Sequence, residues 1–249
     1  MRSSRATPRR LQVTARALRR LADGSTPVEP ELRGLGQVLA PGAVCCDIGA
    51  AFGLYTLAFA DRVGPSGRVL SFEPQPGPNA ILRAVVRLTG ASNVQVSRQA
   101  LGRQARQATM SQPRRRGLPV PGRAFVTAGA NGLGSNLEFD GERRLAVEVT
   151  TLDRLVDALR LTRLDLLKVD VEGAEPDVLA GGERTLARFR PRIMLEIEAR
   201  HLARFGTHPG AVVAAMRERG YTMATLAGQR WEPVAAVTPA ARNYLFTPA

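Results

Sequence analysis

The chain has 249 residues, 35 of them basic and 22 acidic, for a formal charge of +13. Hydrophobic residues make up 44%, enough to bury a substantial core, which excludes wholesale disorder. No apolar run approaches the roughly 18 residues of a membrane-spanning helix, and the length suits one large α/β domain or two small ones.

Residues 11–22 (LQVTARALRRLA) have helical spacing of apolar positions with arginines between them, and a Gly/Pro-rich link follows at 24–36. From Val44 onward short apolar runs alternate with helical segments. VCCDIGA reads as a buried strand and LYTLAFADRV as a helix; GRVLSFEP is a second strand and PNAILRAVVRLTG a second helix; VQVSRQAL is a third strand. The stretch 103–140 is basic and Gly/Pro-rich and reads as an inserted loop region, with short β pieces at most. RLAVEVTTL then alternates like a strand and leads into the helix TLDRLVDALR, where Asp153 favours the helix dipole. LDLLKVDVEG is a further strand, followed by one helix through DVLAGGERTLARF, the strand PRIMLEIEA and the helix AVVAAMRERG. Strands alternating with helices imply a mainly parallel sheet. YTMATL and NYLFTP have no helix between them, which predicts a closing antiparallel hairpin. The division expected is an arginine-rich helical extension with its linker at 1–36 and a catalytic domain at 37–249.

The charge is concentrated. Residues 1–22 hold seven arginines and no acid, and residues 98–123 hold seven more, again with no acid; without those 14 the rest carries 21 basic and 22 acidic residues, or −1. A nucleic-acid-binding domain spreads basic charge over its working face, so binding of nucleic acid is not the expectation. Of the 35 basic residues 34 are arginine, a GC-rich bacterial bias, and the only lysine is Lys168. The amino terminus lacks the apolar stretch of a secretory signal, so the expected location is cytoplasmic. Cys45 and Cys46 are adjacent, with no other cysteine to pair with, and are expected to be reduced, buried thiols.

The segment Asp47-Ile48-Gly49-Ala50-Ala51-Phe52-Gly53 closes the first strand, where open parallel sheets bind ligands. Its glycines allow close backbone approach, but the spacing is not the G-x-G-x-x-G that cradles a dinucleotide pyrophosphate. A carboxylate just before the first glycine would repel an anion and suits a ligand with a cationic part. Glu73, ending the second strand, is placed to accept hydrogen bonds from ribose hydroxyls. In Leu167-Lys168-Val169-Asp170-Val171-Glu172, period-two alternation puts Lys168, Asp170 and Glu172 on one face. A lysine among apolar neighbours needs a partner, Asp170 or Glu172.

DIGAAFGLYTL, SFEP, TTLD at 150–153, LLKVDVEGAEPDVLAGG and PRIMLEIE together resemble the FkbM family of S-adenosylmethionine-dependent methyltransferases, across about residues 40–200. The resemblance implies a class I methyltransferase, Rossmann-like α/β fold: a mainly parallel seven-stranded sheet with an antiparallel C-terminal hairpin. It implies S-adenosyl-L-methionine as cofactor and O-methylation of a hydroxyl on a small molecule, secondary metabolite or glycan. Carried onto this chain, Asp47, Gly49, Ala51, Gly53, Tyr55 and Thr56 would form the methionine-side loop and the start of its helix. Glu73 would hold the ribose, Gln99, Ala100 and Leu101 would border the adenine, and Asp170 and Glu172 would face the methyl-transfer site. The family usually has asparagine where this chain has Ala51.

Methyl transfer requires alignment of the acceptor oxygen and removal of its proton. Glu172 leads as the base; Asp170 and His201 are the other candidates, and Lys168 completes the expected catalytic group. A histidine placed like His201 is most often a plain surface residue, and His208 in THPG reads as a loop or helix cap. No resident metal is expected, although Asp170, Glu196 and Glu198 end neighbouring strands with oxygens that suit Mg²⁺. The alternative function is an RNA methyltransferase using the arginine-rich segments, but RNA readers interleave stacking aromatics and 98–123 holds none (Phe, Trp and Tyr are 5% of the chain). A helix over the active site, or docking to an anionic carrier or surface, is the sharper reading of the arginine-rich start; a homo-oligomer is also possible on sequence grounds.

Overall fold

A computed structural model of the chain describes residues 6–22, 29–120, 123–131 and 139–249. Arg2, Arg5, residues 23–28 of the linker and residues 121–122 and 132–138 of the expected loop region lie outside the described residues. Helix α1 (Arg9–Ala22) is followed by a 3₁₀ turn at Pro30–Gly34 and the short α2 (Leu35–Val38). The alternation then runs β1 (Val44–Ile48), α3 (Leu54–Val63), β2 (Arg68–Phe72), α4 (Pro76–Thr89) and β3 (Val94–Ser97). A second group follows: β4 (Ala100–Leu101), β5 (Arg106–Arg115), β6 (Leu118–Pro119), β7 (Phe125–Val126) and β8 (Gly141–Thr150). The remainder is α5 (Leu152–Ala158), β9 (Leu166–Val169), α6 (Glu175–Ala180), α7 (Glu183–Phe189), β10 (Arg192–Glu196), α8 (Ala199–Leu202), α9 (Pro209–Glu218), β11 (Tyr221–Ala227), β12 (Arg230–Pro233) and β13 (Asn243–Pro248).

The main sheet has the order β12-β11-β13-β10-β9-β1-β2-β3. Strands β3, β2, β1, β9 and β10 pair in parallel, while β13 is antiparallel to both β10 and β11. This is the expected class I arrangement with one strand more than seven, because β12 turns back antiparallel on β11. Strands β1, β2 and β9 are almost wholly buried, as a parallel sheet covered on both faces requires. Ile48, Leu167 and Ile193 face Leu152, Val178 and Met216 of α5, α6 and α9. On the other face Cys45, Leu166 and Met194 meet Leu11, Leu35 and Phe59 of α1, α2 and α3. Both cysteines are buried and unpaired. Helix α1 packs on α3 and α4 through buried Leu11 and Ala15, leaving Arg9, Arg10 and Arg16 exposed.

Three expectations are corrected. The run VQVSRQAL is two strands in two sheets: β3 pairs with β2, whereas Ala100 and Leu101 pair with Val149 and Thr150 of β8. Residues 103–140 are not all loop, because the ten-residue β5 forms an antiparallel ladder of nine pairs with β8 that includes Pro113 opposite Glu142. Its arginines and proline disguised the strand, yet Ser111 and Gln112 are buried beside Met110. The helix expected through DVLAGGERTLARF breaks at Gly181-Gly182, where a Cβ on Gly181 would lie 2.1 Å from the Gly102 carbonyl oxygen. That contact seats the end of α6 against the chain leaving β4. No described helix is long and apolar enough to cross a membrane.

Candidate active site

The carboxyl ends of β1, β2, β9 and β10 share one edge of the main sheet. After β1 the chain turns at Gly49, with φ +85° and a Cβ that would meet the Asp170 carbonyl oxygen at 1.8 Å. Only glycine lets the loops after β1 and β9 touch. The Gly49 and Ala50 amides both donate to the Phe72 carbonyl, at 3.0 and 2.9 Å. Ala51 then adopts φ +45°, a left-handed conformation in which asparagine is enriched. Glu73, 3% exposed, accepts the Ala51 amide on Oε2 at 2.9 Å and the Gln75 amide on Oε1 at 2.8 Å. Burial raises its pKa above the ordinary carboxylate value. Each oxygen keeps a lone pair for a further donor.

These loops bound a partly open cleft of about 100 Å³. Its apolar wall comes from Phe72, Leu101, Met110 and Val126, and its polar groups include Glu73, Asp170 and Glu172. The smaller sheet roofs it: Gln112 on β5 donates to Gln75 Oε1 at 2.7 Å. Of the residues singled out in the sequence, Gly49, Ala51, Glu73, Ala100, Leu101, Asp170 and Glu172 line the cleft.

Asp47, Gly53, Tyr55 and Thr56 stand behind it. Asp47 is on the same face of β1 as Cys45, pointing under α3, and is 1% exposed. It accepts the Thr56 hydroxyl at 2.6 Å, and that hydroxyl lies 2.8 Å from Ser71 Oγ. Gly53, at φ +93°, starts α3, and a Cβ there would strike Leu82 at 2.5 Å. Tyr55 reaches Glu31 Oε2 at 3.5 Å. Lys168 pairs with Asp47 across β1 and β9 in register, and its Nζ lies 2.8 Å from Asp170 Oδ2 and 4.4 Å from the centre of the Tyr55 ring. Burial works to lower the lysine's pKa, but the Asp170 and Asp47 carboxylates more than offset it, and the net shift is upward. Lys168 therefore supports Asp170 from beneath and does not line the cleft.

Glu172 does not share the face of Lys168 and Asp170 as period two implied. The strand ends at Val169, and Glu172 sits in a turn at φ +59° beside Gly173 at φ +108°. The turn is fastened by Glu175, which accepts the Val171 and Gly173 amides at 3.0 and 3.2 Å. Glu172 thereby swings toward α8, and its Oε2 lies 3.0 Å from His201 Nε2. His201 is not the surface residue such a position usually holds: it is 2% exposed. Its Nδ1 lies 3.5 Å from Glu196 Oε2, and Arg123 Nη1 approaches Nε2 at 3.0 Å. Burial pushes Glu172 up to about 8 and Glu196 up to about 10, with neighbouring Asp170 adding to both. Burial pushes His201 down to about 4, so the imidazole is neutral. The trio Asp170, Glu196 and Glu198 does not assemble, because Asp170 pairs with Lys168 and Glu198 with Arg200 and Arg242. His208 caps α9, accepting the Ala211 amide on Nδ1 at 3.3 Å. Arg204 gave no signal in the sequence: it is 2% exposed and lies over the Phe125 ring at 4.7 Å.

Residues 47–223 match the methyltransferase FkbM domain. The chain is 32% identical over 212 residues to the AMB antimetabolite synthetase AmbE of Pseudomonas aeruginosa, covering 75% of this chain and 10% of AmbE. It is 43% identical over 54 residues to the 2-O-methyltransferase NoeI of Sinorhizobium fredii, covering 22% of this chain and 21% of NoeI. The chain thus spans no more than about a fifth of the length of either relative. An FkbM methyltransferase structure from Methylobacillus flagellatus superposes with TM-score 0.50 at 16% identity, over 85% of this chain and 45% of that one. The cleft fits the family's cofactor, with a glycine-lined approach, an apolar wall and a buried carboxylate at the end of β2. The chain belongs to the FkbM family of methyltransferases, whose methyl donor is S-adenosylmethionine.

Proposed function

We propose that the chain transfers a methyl group from S-adenosylmethionine to a hydroxyl oxygen of a small-molecule acceptor, a secondary metabolite or a sugar. The observation that carries this reading is that Glu172 both lines the cofactor cleft and stands 3.0 Å from His201 Nε2. Donor site and proton-accepting groups are therefore contiguous. Gly49 and Ala51 would hold the methionine end, Glu73 the ribose hydroxyls, and Ala100 and Leu101 the adenine. When bound, the cofactor supplies a methyl group already activated on a sulfonium. The chain's own task is to align the acceptor oxygen and receive its proton on Glu172, whose turn is fastened by Glu175. Hydroxyl methylation also agrees with the name of NoeI, a 2-O-methyltransferase. The exposed arginines Arg9, Arg10 and Arg16 of α1 and Arg114 and Arg115 of β5 would favour an anionic acceptor or carrier through long-range attraction.

The test is turnover of hydroxylated acceptors followed by mass spectrometry, with S-adenosylhomocysteine as the shared product. Glu172→Gln is expected to lower kcat by about 10²–10⁴-fold while S-adenosylmethionine binding persists. Unchanged turnover in that variant overturns the assignment of the proton acceptor.

A further inference from the structure

Three ligand-type side chains from three elements meet beside the cleft: Glu172 from the turn after β9, Glu196 from the end of β10 and His201 from α8. One ligand atom of each lies within 4.8 Å of the other two. Glu172 Oε2, Glu196 Oε2 and His201 Nδ1 are all buried and make no hydrogen bond. Each such orphan costs about 1–3 kcal/mol, and buried polar groups without a partner call for an explanation. No arginine or lysine among the described residues stands within ion-pair distance of Glu172 or Glu196; the only ion-pair contact of each is with His201. Of the cations near the group, Lys168 pairs with Asp170, Arg200 and Arg242 pair with Glu198, and Arg123 lies at His201 Nε2; Arg204 stacks over Phe125 with its guanidinium nitrogens making no hydrogen bond, and both Arg123 and Arg204 pull the Glu172 pKa down.

We infer that Glu172, Glu196 and His201 bind a first-row divalent metal ion at the edge of the methyl-donor cleft. One imidazole nitrogen with two carboxylates suits Mn²⁺, Co²⁺ or Zn²⁺, whereas Mg²⁺ and Ca²⁺ prefer all-oxygen sites. Arginine only donates, so the contact from Arg123 makes Nε2 the unprotonated nitrogen and leaves the ring proton on Nδ1. Glu172 lies at Nε2 and Glu196 at Nδ1, so the ion would take the place of one of these two ring contacts. Three protein ligands leave positions open, as in catalytic metal sites, and Glu172 turns those positions toward the cleft. An acceptor hydroxyl bound there would give up its proton to the second oxygen of Glu172 more readily, its developing negative charge held by the ion. That catalytic use rests on the methyl-transfer reading; binding of the ion does not.

The test uses the full chain, stripped with EDTA and desalted, then titrated with MnCl₂ and CoCl₂ by calorimetry and, for Co²⁺, visible absorption, with MgCl₂ as the comparison. One ion per chain is expected, bound at least tenfold more tightly for Mn²⁺ and Co²⁺ than for Mg²⁺. Glu196→Gln and His201→Gln should each weaken binding at least tenfold, with S-adenosylmethionine binding retained in Glu196→Gln as evidence of an intact fold. No binding to the wild type, or equal binding in Glu196→Gln, overturns the inference. If the chain binds S-adenosylmethionine but no ion, only the ion fails; if it binds the ion but no S-adenosylmethionine, only the methyl-donor reading fails.

Discussion

Replacing Lys168 by methionine removes the one ammonium buried beneath the site and keeps most of its stem. The lysine side chain is 2% exposed and its partner Asp170 is 28% exposed, with 2.8 Å between the charged atoms. At that separation and an effective dielectric constant near 20, the attraction is about 6 kcal/mol, most of it cancelled by the desolvation of both ions. What the variant loses is set by the charge left behind. Breaking a buried pair by deleting one partner costs about 3–5 kcal/mol. The lower end applies here, because water can reach Asp170, although Asp47 keeps only its hydrogen bond from Thr56. The expected loss is therefore about 3 kcal/mol, read from urea unfolding by linear extrapolation. The double variant Lys168→Met/Asp170→Asn should lose less than the sum of the single variants by about 2 kcal/mol. A loss below about 1 kcal/mol in Lys168→Met, or strict additivity in the double variant, would refute the pairing argument.

Three further outcomes follow from individual residues. Burial, with Glu29 nearby, raises Glu31 from 4.5 to about 7, so the folded chain holds a proton there that the unfolded chain gives up. That contribution is complete below pH 4.5 and lost as pH rises through about 7. Stability should therefore fall by up to about 3 kcal/mol across that window, and Glu31→Gln should flatten the urea-midpoint profile; an unchanged slope contradicts it. Ala51→Asn relieves a left-handed alanine and should raise Tm by a few degrees, about 0.5–1 kcal/mol, in a thermal melt; a lowered Tm counts against strain at that position. Gly173→Ala places a Cβ 2.4 Å from the His201 carbonyl oxygen. Because backbone opposes backbone there, the loss should exceed about 2 kcal/mol in the same urea assay, and a neutral result would mean that the turn is not wedged against α8.

The alternation of apolar runs and helical segments was enough to place β1, α3, β2, α4, β9 and β10, because each strand is buried on both faces and reads as a continuous apolar stretch. Lys168 with Asp170 was legible for the same reason: period two holds while the strand lasts. It failed one step later, where the strand ends at Val169 and a left-handed turn sends Glu172 toward α8. The smaller sheet was hidden because half of β5 faces solvent with arginines and contains Pro113, so its local pattern resembles a loop. Its pairing with β8, across roughly thirty residues, is set by tertiary contacts. The group of Glu172, Glu196 and His201 was equally opaque, since its members come from three elements with no spacing rule among them. Behind the first loop, Asp47 was noticed but its direction was not: alternation along β1 turns it under α3, away from the cleft.

Calorimetric titration of the chain with S-adenosylmethionine, in the wild type and in Glu73→Ala, bears most directly on the claim that this cleft is a methyl-donor site. Charge-assisted hydrogen bonds contribute about 1.5–3 kcal/mol each, so loss of the Glu73 carboxylate should weaken binding at least tenfold with the circular dichroism spectrum unchanged. Absence of binding to the wild type, or equal affinity in the two proteins, would contradict the account.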